Sequence, residues 1–178
     1  RLQQANAMAL PHAGCASAID IGDSSMGDRI WDGWHPKDKL DVGERLALWA
    51  LRNDYGHPTL VASGPVLHDV SVSDGTVICS FDHIGSGLMV GSKAWYQPTK
   101  EDVGGTLQRF VIAGADGEWF PATATIKDNK VLMSSPSVPE PRKVSYACWQ
   151  NPEGCNLYNR EGLPAAPFHV EDVTKHYS

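Results

Sequence analysis

The chain carries few basic side chains and no long apolar run, and both shortages exclude classes of function. Its 178 residues include 15 Lys and Arg against 21 Asp and Glu, which gives a formal net charge of −6. Such a surface repels a phosphate backbone, so we expect no nucleic-acid partner. Gly, Pro or His interrupts the longest uncharged runs well before the roughly 20 apolar residues that a spanning helix needs. We therefore expect no membrane segment, although a hydrophobic content of 42% is enough for a buried core.

Cysteine is scarce and lacks the spacing of a metal site. Cys15, Cys79, Cys148 and Cys155 include no CxxC pair and no Cys/His cluster at zinc spacing. We therefore expect no zinc site. Cys148 and Cys155 flank the turn-rich segment WQNPEG. They either close a small disulfide loop or are two ordinary buried thiols, and the sequence leaves both readings open.

The first residues lack an initiator Met and the pattern of a signal peptide. RLQQANAMALPHAGC has no charged segment followed by an apolar one. We therefore expect the chain to begin in mid-sequence.

The residue pattern changes near position 57. Before it, residues 1–10 are typical of a helix end, SAIDI at 17–21 of a short buried strand and 22–36 of a polar loop. A helix is predicted from Lys37 to a stop at Gly56 and Pro58, with Glu44 and Arg45 turned to solvent. Four apolar residues of this helix share one face: Leu40, Ala47, Leu48 and Leu51. Strand, polar loop and helix in this order predict an α/β piece with catalytic groups in the loop.

After Pro58 the apolar period shortens to two, which is typical of strands. VLHDVSVS and TVICSF alternate on either side of a hairpin turn at Asp74 and Gly75. Further turns are predicted at residues 115–117 and at Asp128 and Asn129, and RKVSYACW is another strand candidate. Short strands at this spacing predict an antiparallel β-sandwich.

The run DGWHP, in the polar loop, holds the best candidates for chemistry. His35 follows Asp32 by three residues. At this spacing the carboxylate can accept from one ring nitrogen and leave the other to deprotonate a serine. Pro36 stiffens the exit from the loop, and Trp31 and Trp34 are placed to wall a pocket.

Two alternatives to this pair stay open. The orienting acid could instead be Asp20, Asp23 or Asp28, all of which precede His35. A metal site made of Asp32, His35 and Asp38 is the competing interpretation, although three ligands in one short loop without a distant cluster are weak support for it.

The chain lacks a recognisable nucleophile motif. Neither GxSxG nor a GQSN-type run occurs, and GDSS at residues 22–25 is the nearest approach to a nucleophile run. Ser24 lies only eleven residues before His35, so we interpret it as a loop residue. The serine is therefore expected outside this chain.

Several segments resemble one family of esterases. AIDIGD, HPKDK and VGERLALWAL are similar to the closing segment of SGNH hydrolases of the sialate O-acetylesterase group. GP at 64–65, GL at 87–88, FVIAGADGEWFPATATI and SYACWQNPEGCNLYNREGLPAAPF resemble the β-rich C-terminal module of the same enzymes. The resemblance implies that residues 1–57 are the C-terminal part of a flavodoxin-like α/β hydrolase domain. It also implies that residues 58–178 are a β-sandwich accessory domain.

The resemblance also implies an activity and its machinery. His35 would be the catalytic base and Asp32 its orienting acid, with the serine on an upstream chain or segment of the same enzyme. The reaction would remove O-acetyl groups from sialic acid through an acyl-serine, without a metal or an organic cofactor. An acetylesterase for another sugar or xylan, and a non-catalytic carbohydrate-binding β-sandwich, are the alternatives. A glycan substrate and four cysteines favour a secreted, periplasmic or lysosomal setting.

A second polar cluster lies near the C-terminus. Its members are Asn156, Tyr158, Asn159, Arg160 and Glu161. We interpret them as satisfying backbone groups in a long loop, in preference to forming a sugar-binding surface. Four aromatic residues are expected in the core: Trp95, Tyr96, Trp119 and Trp149.

Overall fold

A computed structural model describes residue 10 and the ranges 13–22, 36–149 and 151–175. Within these ranges the protein is nearly all β, with one α-helix and eleven strands. The helix is α1 (Lys39–Asn53). The strands are β1 (Val66–Ser73), β2 (Thr76–Asp82), β3 (Leu88–Ser92), β4 (Lys100–Glu101), β5 (Phe110–Ala113), β6 (Trp119–Pro121), β7 (Thr123–Lys127), β8 (Lys130–Ser134), β9 (Lys143–Tyr146), β10 (Leu157–Asn159) and β11 (Phe168–Val170).

The expectation of a flavodoxin-like α/β piece in residues 1–57 is wrong for the part that the structure describes. SAIDI at 17–21 forms no strand. Ile19 and Ile21 are buried, and Ile19 packs into the same core as the β-strands. A short apolar run is equally compatible with a strand and with a buried irregular segment. Here tertiary packing favours the buried irregular segment. The predicted helix end at residues 1–10 lies outside the described residues except Leu10, and the domain boundary near residue 57 stays a prediction.

Helix α1 has the predicted position but not the predicted orientation. Asp38 caps its start by accepting from the Asp41 backbone N–H at 3.0 Å, and Gly56, with φ +77°, follows its end. Leu40 and Leu51 of the predicted apolar stripe are exposed, whereas Arg45 is only 6% exposed. The expectation that Arg45 faces solvent is therefore wrong, because this arginine has a buried partner.

The strands form three antiparallel sheets. Their orders are β1-β2-β8-β7, β10-β3-β4 and β11-β9-β5-β6. The predicted hairpin turns are confirmed, since Asp74 and Gly75 join β1 to β2 and Asp128 and Asn129 join β7 to β8, all four with positive φ. The turn at residues 115–117 joins β5 to β6 as predicted.

All three sheets contribute to one hydrophobic core. Val77 and Cys79 come from the first sheet, and Leu157 comes from the second. The third sheet adds Phe110 and Tyr146, whose ring centroids lie 4.4 Å apart. This shared core makes the small β10-β3-β4 sheet a fixed part of the molecule rather than a surface flap. Within the described ranges, no helix has the length and apolar character that crossing a bilayer requires.

Candidate active site

Asp32 and His35 lie outside the described residues, and so do Ser24, Asp23 and Asp28. Their roles therefore stay predictions. The structure does describe the chain on either side of them, up to residue 22 and again from Pro36. Each of these flanks carries a buried carboxylate that is held by the rest of the protein.

The carboxylate before the candidate segment is Asp20. Arg45 of α1 donates to its two oxygens at 2.7 and 2.8 Å, and also donates to the Ser17 carbonyl at 2.6 Å. The side chains of Asp20 and Arg45 are 1% and 7% exposed, respectively. Burial lowers the pKa of Arg45, but the hydrogen bonds that Arg45 donates to Asp20 and the charge of Asp20 outweigh burial, and the net pKa is raised. Both oxygens of Asp20 are engaged in this pair, and the alternative that Asp20 is the orienting acid stays a prediction.

Tyr158 of β10 is a third partner in this cluster. Its hydroxyl donates to Asp20 Oδ2 at 3.1 Å. Burial raises the pKa of Tyr158, and the nearby Asp20 charge raises it further, so the hydroxyl keeps its proton and remains a donor. Its ring lies against Gly91 of β3, where an added Cβ would come within 2.4 Å of the ring. Glycine at this position therefore allows Tyr158 to reach across the sheet toward Asp20.

The carboxylate after the candidate segment is Asp38, which is fully buried. It accepts from the backbone N–H of Asp41 at 3.0 Å and from that of Tyr96 at 2.7 Å. Burial raises its pKa, but these two hydrogen bonds outweigh burial and hold the net pKa below the usual value. Tyr96 has φ +60°, which is uncommon for a residue with a side chain. The Asp38 carboxylate thus holds this turn as well as the start of α1.

Lys93, which directly follows β3, brings a positive charge to the same cluster. Its side chain is 3% exposed, contacts Asp41 Oδ2 and lies 3.9 Å from Asp38 Oδ2. Burial raises the pKa of Asp41, the lysine lowers it and Asp38 raises it again, with a net rise. One ammonium therefore serves two buried carboxylates, and its removal would leave two negative charges facing each other.

The surroundings of Asp38 do not support a metal site that includes it. Two backbone N–H groups occupy its oxygens and a lysine lies beside it, and a cationic neighbour disfavours a second cation at the same place. Among the described residues, no group of three or more His, Cys, Asp or Glu side chains has the geometry of a metal site.

The C-terminal polar cluster largely binds backbone groups, as we interpreted it. Asn159 is fully buried and donates to the carbonyls of Ser63 and His83 at 3.0 and 3.2 Å. Its side-chain oxygen accepts from the Leu163 N–H at 2.9 Å. Asn156 likewise accepts from the Gln108 N–H at 2.8 Å. These contacts use the amide groups to order loops rather than to present them to a ligand.

One other expectation for side chains comes out differently. Tyr96, Trp119 and Trp149 are 53%, 39% and 44% exposed, so the expectation that they are core residues is wrong. The sequence left the pairing of Cys148 and Cys155 open. In the structure Cys148 is exposed and Cys155 is buried. Their thiols lie 3.1 Å from the Phe168 carbonyl and 3.6 Å from the Ile19 carbonyl, respectively.

The sequence analysis connected three residues of the two buried clusters with no site: Arg45, Lys93 and Tyr96. Arg45 was placed in solvent because it is charged and does not belong to the predicted apolar face of the helix. Lys93 carried no local signal, since its carboxylate partners belong to a distant part of the chain. The sequence analysis named Asp38 only as a candidate metal ligand, although an Asp directly before a helix is a recognised cap and its position could have pointed toward this cluster.

Comparison with known proteins adds one relationship. Neither a protein-family model nor a curated protein matches the chain. A solved structure does match. It is the structure of a carbohydrate acetylesterase from Xanthomonas citri, with a TM-score of 0.80 and 40% sequence identity.

The match covers 95% of this chain and 35% of the Xanthomonas protein, so this chain spans about a third of that protein's length. The similarity supports a relationship to carbohydrate esterases in general. It does not single out the sialate O-acetylesterases.

Proposed function

We propose that this chain is part of a carbohydrate esterase that removes O-acetyl groups from sugars. The observation that carries the proposal is its 40% identity, over 95% of its residues, to the Xanthomonas carbohydrate acetylesterase. The sequence DGWHP supplies the acid and base that such a reaction needs. The buried carboxylates Asp20 and Asp38, on either side of it, give that segment fixed ends.

The proposed mechanism is that of a serine esterase. His35 takes the proton of the serine hydroxyl while the serine oxygen attacks the acetyl carbonyl, and then returns the proton to the departing sugar hydroxyl. Water, deprotonated by the same imidazole, releases acetate from the acyl-serine. Asp32 accepts from the other ring nitrogen and holds the tautomer. We place the serine on an upstream segment or chain of the same enzyme, which is consistent with the greater length of the Xanthomonas protein.

The substrate we favour is O-acetylated sialic acid, from the family resemblance of the segments quoted above, with other acetylated sugars or xylan as the alternative. We also propose a secreted, periplasmic or lysosomal location. The ratio of kcat/KM for acetylated sialic acid to kcat/KM for acetylxylan decides between the two substrate classes.

The proposal is tested with His35→Ala in the complete enzyme and an aryl acetate as substrate. We expect the rate of acetate release to fall by about 10²- to 10⁴-fold, because the general base is lost. Retained activity in His35→Ala would refute it. Asp32→Asn should also lower the rate, whereas Asp28→Asn, a matched change at a competing acid, should not. A chelator should leave hydrolysis unchanged, and inhibition would favour the metal alternative.

A non-catalytic carbohydrate-binding chain is the second candidate, favoured by the exposure of Trp119. This indole lies on the sheet beside His169, with ring centroids 5.3 Å apart, and is placed to stack on a sugar ring. A protein of this kind would bind polysaccharide in a pull-down without releasing acetate.

A further inference from the structure

The sheet β11-β9-β5-β6 has an outer face, which is turned away from the hydrophobic core. Successive side chains of a strand point to opposite faces. The outer face therefore holds the residues that alternate with the core positions of this sheet, among them Trp119, Ala113, Lys143, Ser145 and His169. The strand pairing agrees, because Ala113 lies opposite both Trp119 and Lys143. Ser145 likewise lies opposite His169.

Trp119 and His169 reach toward each other across the outer face. Two strands separate β6 from β11, which corresponds to about 14 Å at the usual strand spacing. The ring centroids of Trp119 and His169 nevertheless lie only 5.3 Å apart. Because Ala113 and Ser145, on the strands between them, carry small and buried side chains, the two rings can lie along the sheet. The indole, which stays 39% exposed, therefore forms an aromatic platform.

A carboxylate lies beside this platform. Nε2 of His169 is 2.7 Å from Oε1 of Glu171, and Nζ of Lys143 is 2.7 Å from Oε2. The hydrogen bond from Lys143, and next that from His169, lower the pKa of Glu171 to about 2. The side chain is therefore ionised at ordinary pH and can only accept, so His169 donates to it. Glu171 is 68% exposed, and its oxygens keep lone pairs for the hydroxyls of a ligand.

We propose that the outer face binds a neutral sugar residue, whose ring stacks on Trp119 and whose hydroxyls donate to Glu171. A pyranose ring offers an apolar face of C–H groups to the indole and adjacent hydroxyls to the carboxylate. The role that we assign to the site, holding the glycan during hydrolysis of its acetyl ester, rests on the proposed function. The binding itself does not depend on that function.

The charges of the outer face favour a neutral sugar over an acidic one. Glu171 is the charged group most open to solvent there, since the side chains of Lys143 and His169 are only 28% and 29% exposed. A sugar with its own carboxylate would meet this exposed negative charge and be repelled.

The size of the platform favours a sugar over a protein partner. Among the described residues, Trp119 is the one large hydrophobic side chain of the outer face that is exposed. A stable protein interface buries about 800 Å² on each partner, whereas one indole matches one pyranose ring. The similarity to a carbohydrate acetylesterase also favours a sugar.

The experiment measures the binding of xylohexaose to the complete enzyme by isothermal titration calorimetry. This neutral sugar chain carries no ester, so it is bound without being hydrolysed. We expect the dissociation constant to rise about 10-fold or more in Trp119→Ala, because the stacking surface is lost. Glu171→Ala leaves the indole in place and should raise it about 3-fold or more. Hexagalacturonate, a chain of the same length with a carboxylate on each residue, should bind more weakly than xylohexaose.

Trp149→Ala is the matched control. This indole is 44% exposed and lies beyond the end of β9, so its loss should change the dissociation constant by less than about twofold. Hydrolysis gives a second readout. In Trp119→Ala the ratio of kcat/KM for acetylxylan to kcat/KM for an aryl acetate should fall about 10-fold, mainly through KM, because the aryl acetate has no sugar for the indole to hold.

The outcomes distinguish this inference from the proposed function. Absence of xylohexaose binding to the wild-type enzyme would overturn the inference, as would equal losses in Trp119→Ala and Trp149→Ala or tighter binding of hexagalacturonate. If His35→Ala still releases acetate, the proposed function fails, while a loss of xylohexaose binding in Trp119→Ala still supports the sugar site. Should Trp119→Ala not fold, Glu171→Ala decides, and wild-type affinity in that variant would overturn the inference.

Discussion

At the scale of single residues, Glu161 shows how one carboxylate orders a loop. It follows β10 and accepts from the Ser86 backbone N–H at 2.9 Å and from the Ser86 hydroxyl. Burial is the largest single influence and raises its pKa, but the hydrogen bonds from Ser86 together outweigh it, and the net pKa lies below the ordinary value. The loop after β10 and the turn before β3 are thereby joined through a group whose charge depends on pH.

Glu161→Gln is expected to weaken this joint in a pH-dependent way. Because the pKa of Glu161 is lower in the folded state than in the unfolded state, the carboxylate stabilises the fold at pH values above its unfolded pKa of about 4.3. This stabilisation is lost as the pH falls through the folded pKa. After allowance for solvent screening, the variant should be about 0.5 to 1 kcal/mol less stable at pH 7. The difference should shrink toward pH 3. Urea unfolding at both pH values measures it, and a difference that does not change with pH would contradict the assignment.

Local sequence signals identified the turn residues but missed the capping role of Asp38 and the ion pairs of Arg45 and Lys93. Arg45 pairs with Asp20, 25 positions away, and Tyr158 reaches Asp20 across 138 positions. Periodicity assigns a charged helical residue to solvent because an unpaired charge is costly to bury. The partner that removes this cost belongs to another element, so no local pattern reveals it. Asp32 and His35 stay predictions for a different reason, since they lie outside the described residues.

At the scale of elements, the hairpin turns follow directly from the sequence. Asp74 and Gly75 both have positive φ, at 49° and 72°, and such a two-residue turn matches the twist of the strands it joins. The sequence signal and the turn that it predicts both involve only adjacent residues. The failed strand at residues 17–21 is the opposite case, because pairing in a sheet depends on strands elsewhere in the chain.

A pair of glycine variants tests these local assignments. Gly75→Ala places a Cβ in a left-handed conformation and 2.8 Å from the Pro139 carbonyl oxygen, so we expect a loss of at least about 1 to 2 kcal/mol. Gly43→Ala lies inside α1, with open space around the added Cβ, and should gain about 0.5 to 1 kcal/mol from helix propensity. Denaturant unfolding should therefore show shifts of opposite sign, and equal shifts would argue against the turn geometry.

At the scale of the whole molecule, α1 faces two environments. The side that carries Arg45 and Trp49 packs on residues 13–22, where Trp49 donates to the Cys15 carbonyl at 3.0 Å. Its apolar stripe carries Leu40 and Leu51, which are 54% and 39% exposed. The proposed upstream segment of the esterase is the occupant that we expect on this stripe.

The double variant Leu40→Gln/Leu51→Gln tests that expectation in the complete protein. If the stripe is covered there, each substitution removes about 1.5 to 3 kcal/mol of burial, and the unfolding temperature should drop clearly. Val103→Gln, at a side chain that is 88% exposed, is the matched control and should have little effect. An unchanged unfolding temperature in the double variant would mean that the stripe stays in water.

The contact between Tyr158 and Asp20 also has a consequence for biosynthesis. The two residues are 138 positions apart, so at about 5 to 20 residues per second the ribosome delivers the tyrosine roughly 7 to 28 seconds after the aspartate. Throughout that interval the early segment lacks one of its permanent partners. We therefore expect its final docking to be among the last events of co-translational folding, and nascent chains that end before β10 to stay open to proteases around residues 13–22.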